Sequence, residues 1–307
     1  MKRDFLSLAP LSPAEVIRLL DLAVTLKAAN TAQGNGSVLT GRALAMVFQK
    51  PSLRTRVSFE RGMQQLGGTA LYIGPDEIKL GARESVPDVA RVLSRYVDAI
   101  MARVFSHDDV VSLARWATVP VINGLSDFCH PCQAMADLLT IREKLDRLAG
   151  VRLVYLGDGN NVTHSLLYAA AKTGMHLTVC TPEGYDPLPT VLTEALTMAA
   201  ETGAQIRTDR DPWNAVQGAD VLYTDTWTSM GQEAEAEQRR GIFPPYQINA
   251  ALLEQAGPQA RVLHCLPAHR GEEITDDVAD GPRSWLFDQA ENRLHAQKAV
   301  LVDLMTH

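Results

Sequence analysis

Short apolar runs alternate along the chain with longer stretches whose apolar positions recur at helical spacing. Ala43–Phe48, Ala70–Ile73, Ala99–Val104 and Val119–Ile122 form one set of candidate buried strands. Val151–Leu156, His176–Cys180, Gln205–Thr208, Val221–Tyr223 and Val262–His264 form a second. Uninterrupted apolar strands separated by helices predict α/β architecture: two domains, each a parallel sheet covered by helices. Ser12-Pro13-Ala14-Glu15 predicts a helix start, with Ser12 as cap, Pro13 in the first turn and Glu15 closing a capping box. A long helix is expected from Pro131. The domain boundary falls after it, near Arg147-Leu148-Ala149-Gly150, giving domains 1–147 and 148–288. The last segment, 289–307, is helical and apolar at helix spacing, and by pattern it fits either domain. In open α/β sheets, ligands sit at the carboxyl ends of strands beside helix N-termini. The unusually polar strand-to-helix turns are therefore where chemistry is expected.

Composition narrows the class. The 307 residues are 46% hydrophobic and 21% charged, with no low-complexity segment, which is the profile of a globular protein of two ordinary domains. A net charge of −7 argues against nucleic-acid binding, which needs a dominant basic face. It leaves room for a small anion, for which a few arginines in one pocket suffice. No apolar stretch approaches the ~20 residues needed to span a membrane, and no signal peptide is evident. Four cysteines, Cys129, Cys132, Cys180 and Cys265, point to reduced thiols in a cytoplasm. Cys129-His-Pro-Cys132 has a metal-like spacing, but no second pair follows to complete a four-ligand site, so no metal is expected.

Five segments carry candidate chemistry. The run Gln49-Lys50-Pro51-Ser52-Leu53-Arg54-Thr55-Arg56 follows the first strand and opens a helix. Ser52, Thr55 and first-turn N–H groups there suit an anion, and Arg54 can hold phosphate oxygens in a bidentate fork. An ordinary capped helix start fits the same residues. Arg103 ends a strand, and His130 and Gln133 open a helix at its positive end. Singly, a surface ion pair and a helix cap are the better account of the first two. Gly157-Asp158-Gly159-Asn160-Asn161 begins like a dinucleotide fingerprint, but Val162 replaces the third glycine and no ribose-binding carboxylate ends the next strand. A dehydrogenase is a poor reading. Asp225-Thr226-Trp227-Thr228-Ser229-Met230-Gly231 and His264-Cys265-Leu266-Pro267 follow two further strands, where a packed methionine and an inert buried thiol are the plain alternatives.

Taken together and in order, these segments resemble the aspartate/ornithine carbamoyltransferase family. Lys50-Pro-Ser-Leu-Arg-Thr-Arg is similar to its Ser-Thr-Arg-Thr phosphate signature, with Leu53 in place of the usual threonine, and His130-Pro-Cys-Gln133 is similar to its His-Pro-x-Gln. Asp225-x-x-x-Ser229-Met230-Gly231, and a cysteine at 265 where aspartate enzymes carry proline, resemble the ornithine branch.

The resemblance implies transfer of the carbamoyl group of carbamoyl phosphate to the δ-amine of L-ornithine, with no cofactor. Ser52, Leu53, Arg54, Thr55, Lys79, Arg103, His130, Gln133, Cys265, Leu266 and Arg293 would bind carbamoyl phosphate. Arg103, His130 and Thr55 would polarise its carbonyl as an oxyanion hole, and Gln133 would hold its amide. Asn161, Asp225, Ser229 and Met230 would bind ornithine. Asp225 and Cys265 would assist loss of a proton from its δ-ammonium, whose ordinary pKa of ~10.4 leaves roughly one molecule in a thousand free near neutrality.

The last helix would return to the first domain. The enzyme would be a homotrimer, or a multiple of trimers, with Lys79 of the loop Gly74–Gly81 reaching a neighbouring subunit's site. By its composition alone that loop is an exposed connector. Rivals to this reading are a carbamoyltransferase for another amine, such as putrescine or an N-acylated ornithine, and a catalytically silent binding subunit.

Overall fold

A computed structural model describes residues 2–32, 35–229 and 233–306. The chain divides into two compact units, Met1–Leu139 with Glu291–His307, and Thr140–Ala290. The first unit runs α1 (Pro13–Ala32), β1 (Ala43–Phe48), α2 (Leu53–Gln65), β2 (Thr69–Ile73), the one-turn α3 (Pro75–Ile78), α4 (Val86–Leu93), β3 (Ala99–Arg103), α5 (His107–Trp116), β4 (Val121–Leu125) and the start of α6 (Pro131–Leu145). The second runs β5 (Arg152–Leu156), α7 (Asn161–Thr173), β6 (His176–Cys180), α8 (Pro189–Thr202), β7 (Ile206–Asp209), α9 (Pro212–Ala215), β8 (Val221–Thr224), α10 (Ala236–Ile242), α11 (Ala250–Ala256), β9 (Arg261–His264), α12 (Asp276–Ala279) and the start of α13 (Leu286–Met305).

Each unit is one parallel sheet, in order β2-β1-β3-β4 and β7-β6-β5-β8-β9. Strand order reverses between β1 and β3 in the first sheet and between β5 and β8 in the second. The carboxyl ends of those pairs are the expected ligand positions of a doubly wound fold. The central strands are buried on both faces: Leu44 to Phe48 and Ala99 to Ala102 are at most 1% exposed, which accounts for their unbroken apolar runs. Glu15 and Ser12 form the expected capping box, Ser12 N–H donating to Glu15 Oε2 (2.9 Å) and Glu15 N–H to Ser12 Oγ (3.2 Å).

The fourth strand differs from expectation, lying at Val121–Leu125 rather than Val119–Ile122. Asn123 and Gly124 look like turn residues but belong to the strand. The buried Asn123 amide donates to the Leu6 carbonyl (3.0 Å), and a Cβ on Gly124 would meet Met101 Sδ at 2.5 Å. Phe5 pairs with the same strand, its N–H donating to the Val121 carbonyl and its own carbonyl accepting from Asn123, both at 2.8 Å. From Glu291 onward α13 packs in the first unit: Lys298 donates to Gln65 Oε1 (3.1 Å), and Lys27 donates to Asn292 Oδ1 (2.7 Å). No helix among the described residues is long and apolar enough to cross a membrane.

Candidate active site

In the first unit, the turn after β1 delivers the anion-type residues. Ser52 caps α2, its Oγ accepting from Thr55 N–H (3.3 Å), so one first-turn donor is used by the cap and the helix dipole still points at the turn. Leu53 begins the helix and is 75% exposed. Thr55 is fully buried and its hydroxyl is a hub: Arg293 Nη2 donates to Oγ1 at 2.8 Å, Ser52 Oγ at 3.1 Å and Arg103 Nη1 at 3.5 Å. Arg293 is 2% exposed and so is no surface arginine, and Arg103 at 8% is no surface ion-pair member.

Beside this hub His130 is buried at the start of α6, with a pKa pushed well below its ordinary 6.5 by burial and by Arg293, Arg103, Arg54 and Lys50. Four cations acting on one buried imidazole keep it neutral at physiological pH, with one N–H to donate. That charge density suits a dianion, and a neutral imidazole suits a developing alkoxide as a donor that does not surrender its proton. Lys50 escaped the sequence reading. It is buried, with Nζ 4.7 Å from the centre of the Phe105 ring, and the Lys-Pro that precedes Ser52 was the only signal for it. Gln133, one turn on from His130, donates through Nε2 to Asp137 Oδ1 (2.8 Å).

Lys79 stands apart from the hub. It caps α3 in the left-handed region (φ 45°), exposed, and its side chain makes no hydrogen bond or ion pair among the described residues. A non-glycine residue costs about 1–2 kcal/mol in that conformation, which marks the position as one to explain.

In the second unit, the turns after β5 and β8 meet at the strand-order reversal. Asn160, not Asn161, caps α7, accepting from Val162 and Thr163 N–H, and its Nδ2 donates to Asp225 Oδ2 (2.8 Å). Asn161 is the first residue of the helix. Asp225 Oδ1 accepts from Thr226 N–H (2.8 Å) and from the Cys265 thiol (2.9 Å). Ser229 closes this turn; Met230 and Gly231 lie outside the described residues. The early glycines of the Gly157–Asn161 turn have a local reason: a Cβ on Gly159 would lie 2.2 Å from Pro187 N, so the chain at 185–187 excludes any side chain there. Arg239, unmarked in the sequence, holds the same turn, donating to Asp158 Oδ2 and to the Trp227 carbonyl, both at 2.8 Å. Burial lifts the Asp158 carboxyl above its ordinary value against the pull of that guanidinium.

Cys265 follows β9 and is bracketed by a fixed frame. His264 Nδ1 accepts the Leu266 N–H (2.9 Å) and its Nε2 contacts Glu273 Oε1 (2.9 Å), holding Leu266 at φ 56°. Asp225, His264 and Cys265 bring three metal-type donors within 4.8 Å of one another. Both His264 nitrogens are engaged, however, so the ring has no lone pair to give a cation without breaking that frame. Cys129 and Cys132 are buried thiols pushed up to about 12 by burial, which keeps them protonated and poor as ligands.

Residues 3–143 match the description "Aspartate/ornithine carbamoyltransferase, carbamoyl-P binding domain", and residues 149–304 match "Aspartate/ornithine carbamoyltransferase, Asp/Orn binding domain". The chain belongs to the aspartate/ornithine carbamoyltransferase family. Within the family it is 55% identical over 303 residues to the ornithine carbamoyltransferase of Anoxybacillus flavithermus, covering 99% of this chain and 96% of that protein. It is 56% identical to the anabolic ornithine carbamoyltransferase of Pyrococcus furiosus, with the same coverage. The solved structure of the Pyrococcus furiosus ornithine carbamoyltransferase superposes with a TM-score of 0.96 at 56% identity, covering 99% of this chain and 97% of that one. The solved ornithine carbamoyltransferase of Gloeobacter violaceus gives 0.89 at 51% identity, covering 98% of each chain.

Proposed function

We propose that this chain is an ornithine carbamoyltransferase, converting carbamoyl phosphate and L-ornithine to L-citrulline and phosphate. Two observations carry this: in one unit Arg293 and Arg103 converge on the Thr55 hydroxyl with buried His130 in the same cluster, and in the other Cys265 and Asp225 form a thiol–carboxylate contact. Ser52, Leu53 and Arg54 hold the phosphate from the start of α2. Thr55, Arg103 and His130 direct donors at the carbonyl oxygen, Arg293 adds charge, and Gln133 takes the carbamoyl NH2. Cys265 and Leu266 also contribute to carbamoyl phosphate binding. Asn161, Ser229 and Met230 hold the amino-acid end of ornithine.

Asp225 attracts the δ-ammonium, and with Cys265 it assists loss of a proton. The freed nitrogen lone pair attacks the carbamoyl carbon, the C=O electrons move onto oxygen, and the resulting alkoxide is met by Arg103, His130 and Thr55. Collapse restores the carbonyl and breaks the C–O bond, whose electrons leave with phosphate, and the attacking nitrogen, cationic after addition, passes its second proton to that leaving phosphate. Donors aimed at the alkoxide rather than the ground-state carbonyl accelerate the step, and one such donor is worth roughly 10²–10³ in rate.

The active assembly is a homotrimer or a multiple of trimers, with Lys79 donated to a neighbouring site. The exposed, left-handed Lys79 supports this, as do Leu53, Val57 and Leu71, large apolar groups left exposed on α2 and the edge strand β2. Four free buried thiols support a reducing compartment, the cytoplasm. A citrulline assay with ornithine and putrescine in parallel tests the reading. Product from ornithine alone is expected; product only from putrescine points to the other amine, and none from either points to a silent subunit.

A further inference from the structure

Gln133 and Asp137 lie one turn apart on α6, both 1% exposed, with Gln133 Nε2 donating to Asp137 Oδ1 at 2.8 Å. A side-chain amide can present either its nitrogen or its oxygen to a partner, but a carboxylate oxygen only accepts. The Asp137 bond therefore exists in one amide orientation alone, nitrogen toward Asp137 and oxygen away. That oxygen, Gln133 Oε1, is buried and meets no donor among the described residues. The backbone ties it to the cradle: Gln133 N–H donates to the His130 carbonyl (3.1 Å), placing the amide in the same turn as the neutral imidazole. An unmet buried acceptor in the turn that carries His130 recognises an N–H, which a carbamoyl group has and an acetyl group lacks.

We propose that Asp137 is a positioning residue that makes the site selective for a carbamoyl over an acyl donor, by locking Gln133 with its oxygen toward the ligand. This rests on the carbamoyl phosphate reading above. Asp137 touches no substrate; it acts through Gln133. Without its charge the amide is free to turn, and half of its orientations meet the ligand NH2 with another N–H.

The test uses the full enzyme with carbamoyl phosphate as substrate, and acetyl phosphate and inorganic phosphate as competitive probes. In Asp137→Asn, KM for carbamoyl phosphate should rise about tenfold, the worth of one neutral hydrogen bond. The inhibition constants of acetyl phosphate and phosphate should stay within twofold. Asp137→Glu, which keeps an acceptor, should recover part of the loss, and Asp137→Ser should repeat the Asn result if that variant folds poorly. In a Gln133→Ala background, Asp137→Asn should add less than twofold. Equal weakening of all three ligands, or full additivity with Gln133→Ala, overturns the proposal and leaves Asp137 a packing residue. If the unmutated enzyme does not favour carbamoyl over acetyl phosphate, the functional reading itself fails, which is visible before any variant is made.

Discussion

The Cys265 thiol donates to Oδ1 of Asp225 at 2.9 Å, while the other carboxylate oxygen is held by Asn160 at 2.8 Å. The two residues are forty positions apart and are brought together by the pairing of β8 with β9, where Thr224 lies opposite His264. One side of the carboxylate is thus fixed to the α7 cap and the other carries a proton donor that can exchange with an incoming amine. Cys265→Ser preserves shape and the hydrogen bond but not the acidity of the group. The variant should fold normally and lose roughly 10–100-fold in kcat/KM for ornithine, at or below the lower end of what a positioned proton acceptor contributes. Unaltered saturation kinetics for ornithine would reduce Cys265 to packing.

Arg54 is one of the four cations that bear on His130, and it sits in the first turn of α2. If Arg54 holds phosphate as proposed, truncation removes two charge-assisted bonds, each worth about 1.5 kcal/mol or more, so Arg54→Ala should weaken carbamoyl phosphate binding at least ~100-fold. Titration calorimetry decides it, and binding of normal strength would remove this turn from the phosphate site.

The distinction between legible and hidden features follows contact range. β1 and β3 were visible because a strand buried on both faces must be apolar throughout, and Ser12–Glu15 because capping is a three-residue interaction. Asn123-Gly124 misled for the same reason: in isolation they signal a turn, and only Leu6 and Met101, distant in sequence, make them strand. Arg103 and Arg293 were ambiguous one at a time, since an arginine's role depends on what lies opposite, here the Thr55 hydroxyl. Arg239 and Glu273 carried no local signal at all, and Lys50 only the Lys-Pro before Ser52. Their partners, the cation cluster, Asp158 and His264, are tertiary. Asn160 and Asn161 are adjacent and chemically identical, so no pattern could say that the first caps the helix and grips Asp225.

The buried histidines predict an acid weakness. His130 is held well below 6.5 by burial and four cations, and His295 is lowered to about 4 by burial, Lys298 and Lys27. Unfolded, both take up a proton near pH 6.5; folded, neither does until lower pH. Below 6.5 the unfolded chain therefore binds more protons, and stability falls as pH drops, by roughly 1.4 kcal/mol per pH unit for each group. Above pH 7 the effect vanishes. His130→Asn should reduce the loss between pH 7 and 5.5 by on the order of 1 kcal/mol. Urea unfolding of both proteins at the two pH values measures it, and identical pH slopes would contradict the burial argument.

Lys79 offers the most direct test of assembly. Its φ of 45° is held by a compact local frame: the Lys79 N–H donates to the Pro75 carbonyl (3.2 Å), and Ala82 and Arg83 N–H donate to the Lys79 carbonyl (2.8 and 2.9 Å). A strained, solvent-facing lysine with no partner for its ammonium among the described residues of its own chain is consistent with a partner on another. If each site combines Arg54 of one subunit with Lys79 of the next, the trimer is cyclic and heterologous. On this arrangement Arg54→Ala and Lys79→Ala proteins should each be inactive alone. Mixed equally under conditions of subunit exchange, about three-quarters of trimers are hybrids, each with one native site in three, so roughly a quarter of wild-type activity should return. Mass spectrometry of the mixture establishes that hybrids have formed. With hybrids present and activity still at the parental level, Lys79 serves no neighbouring site and the left-handed turn has only a local role.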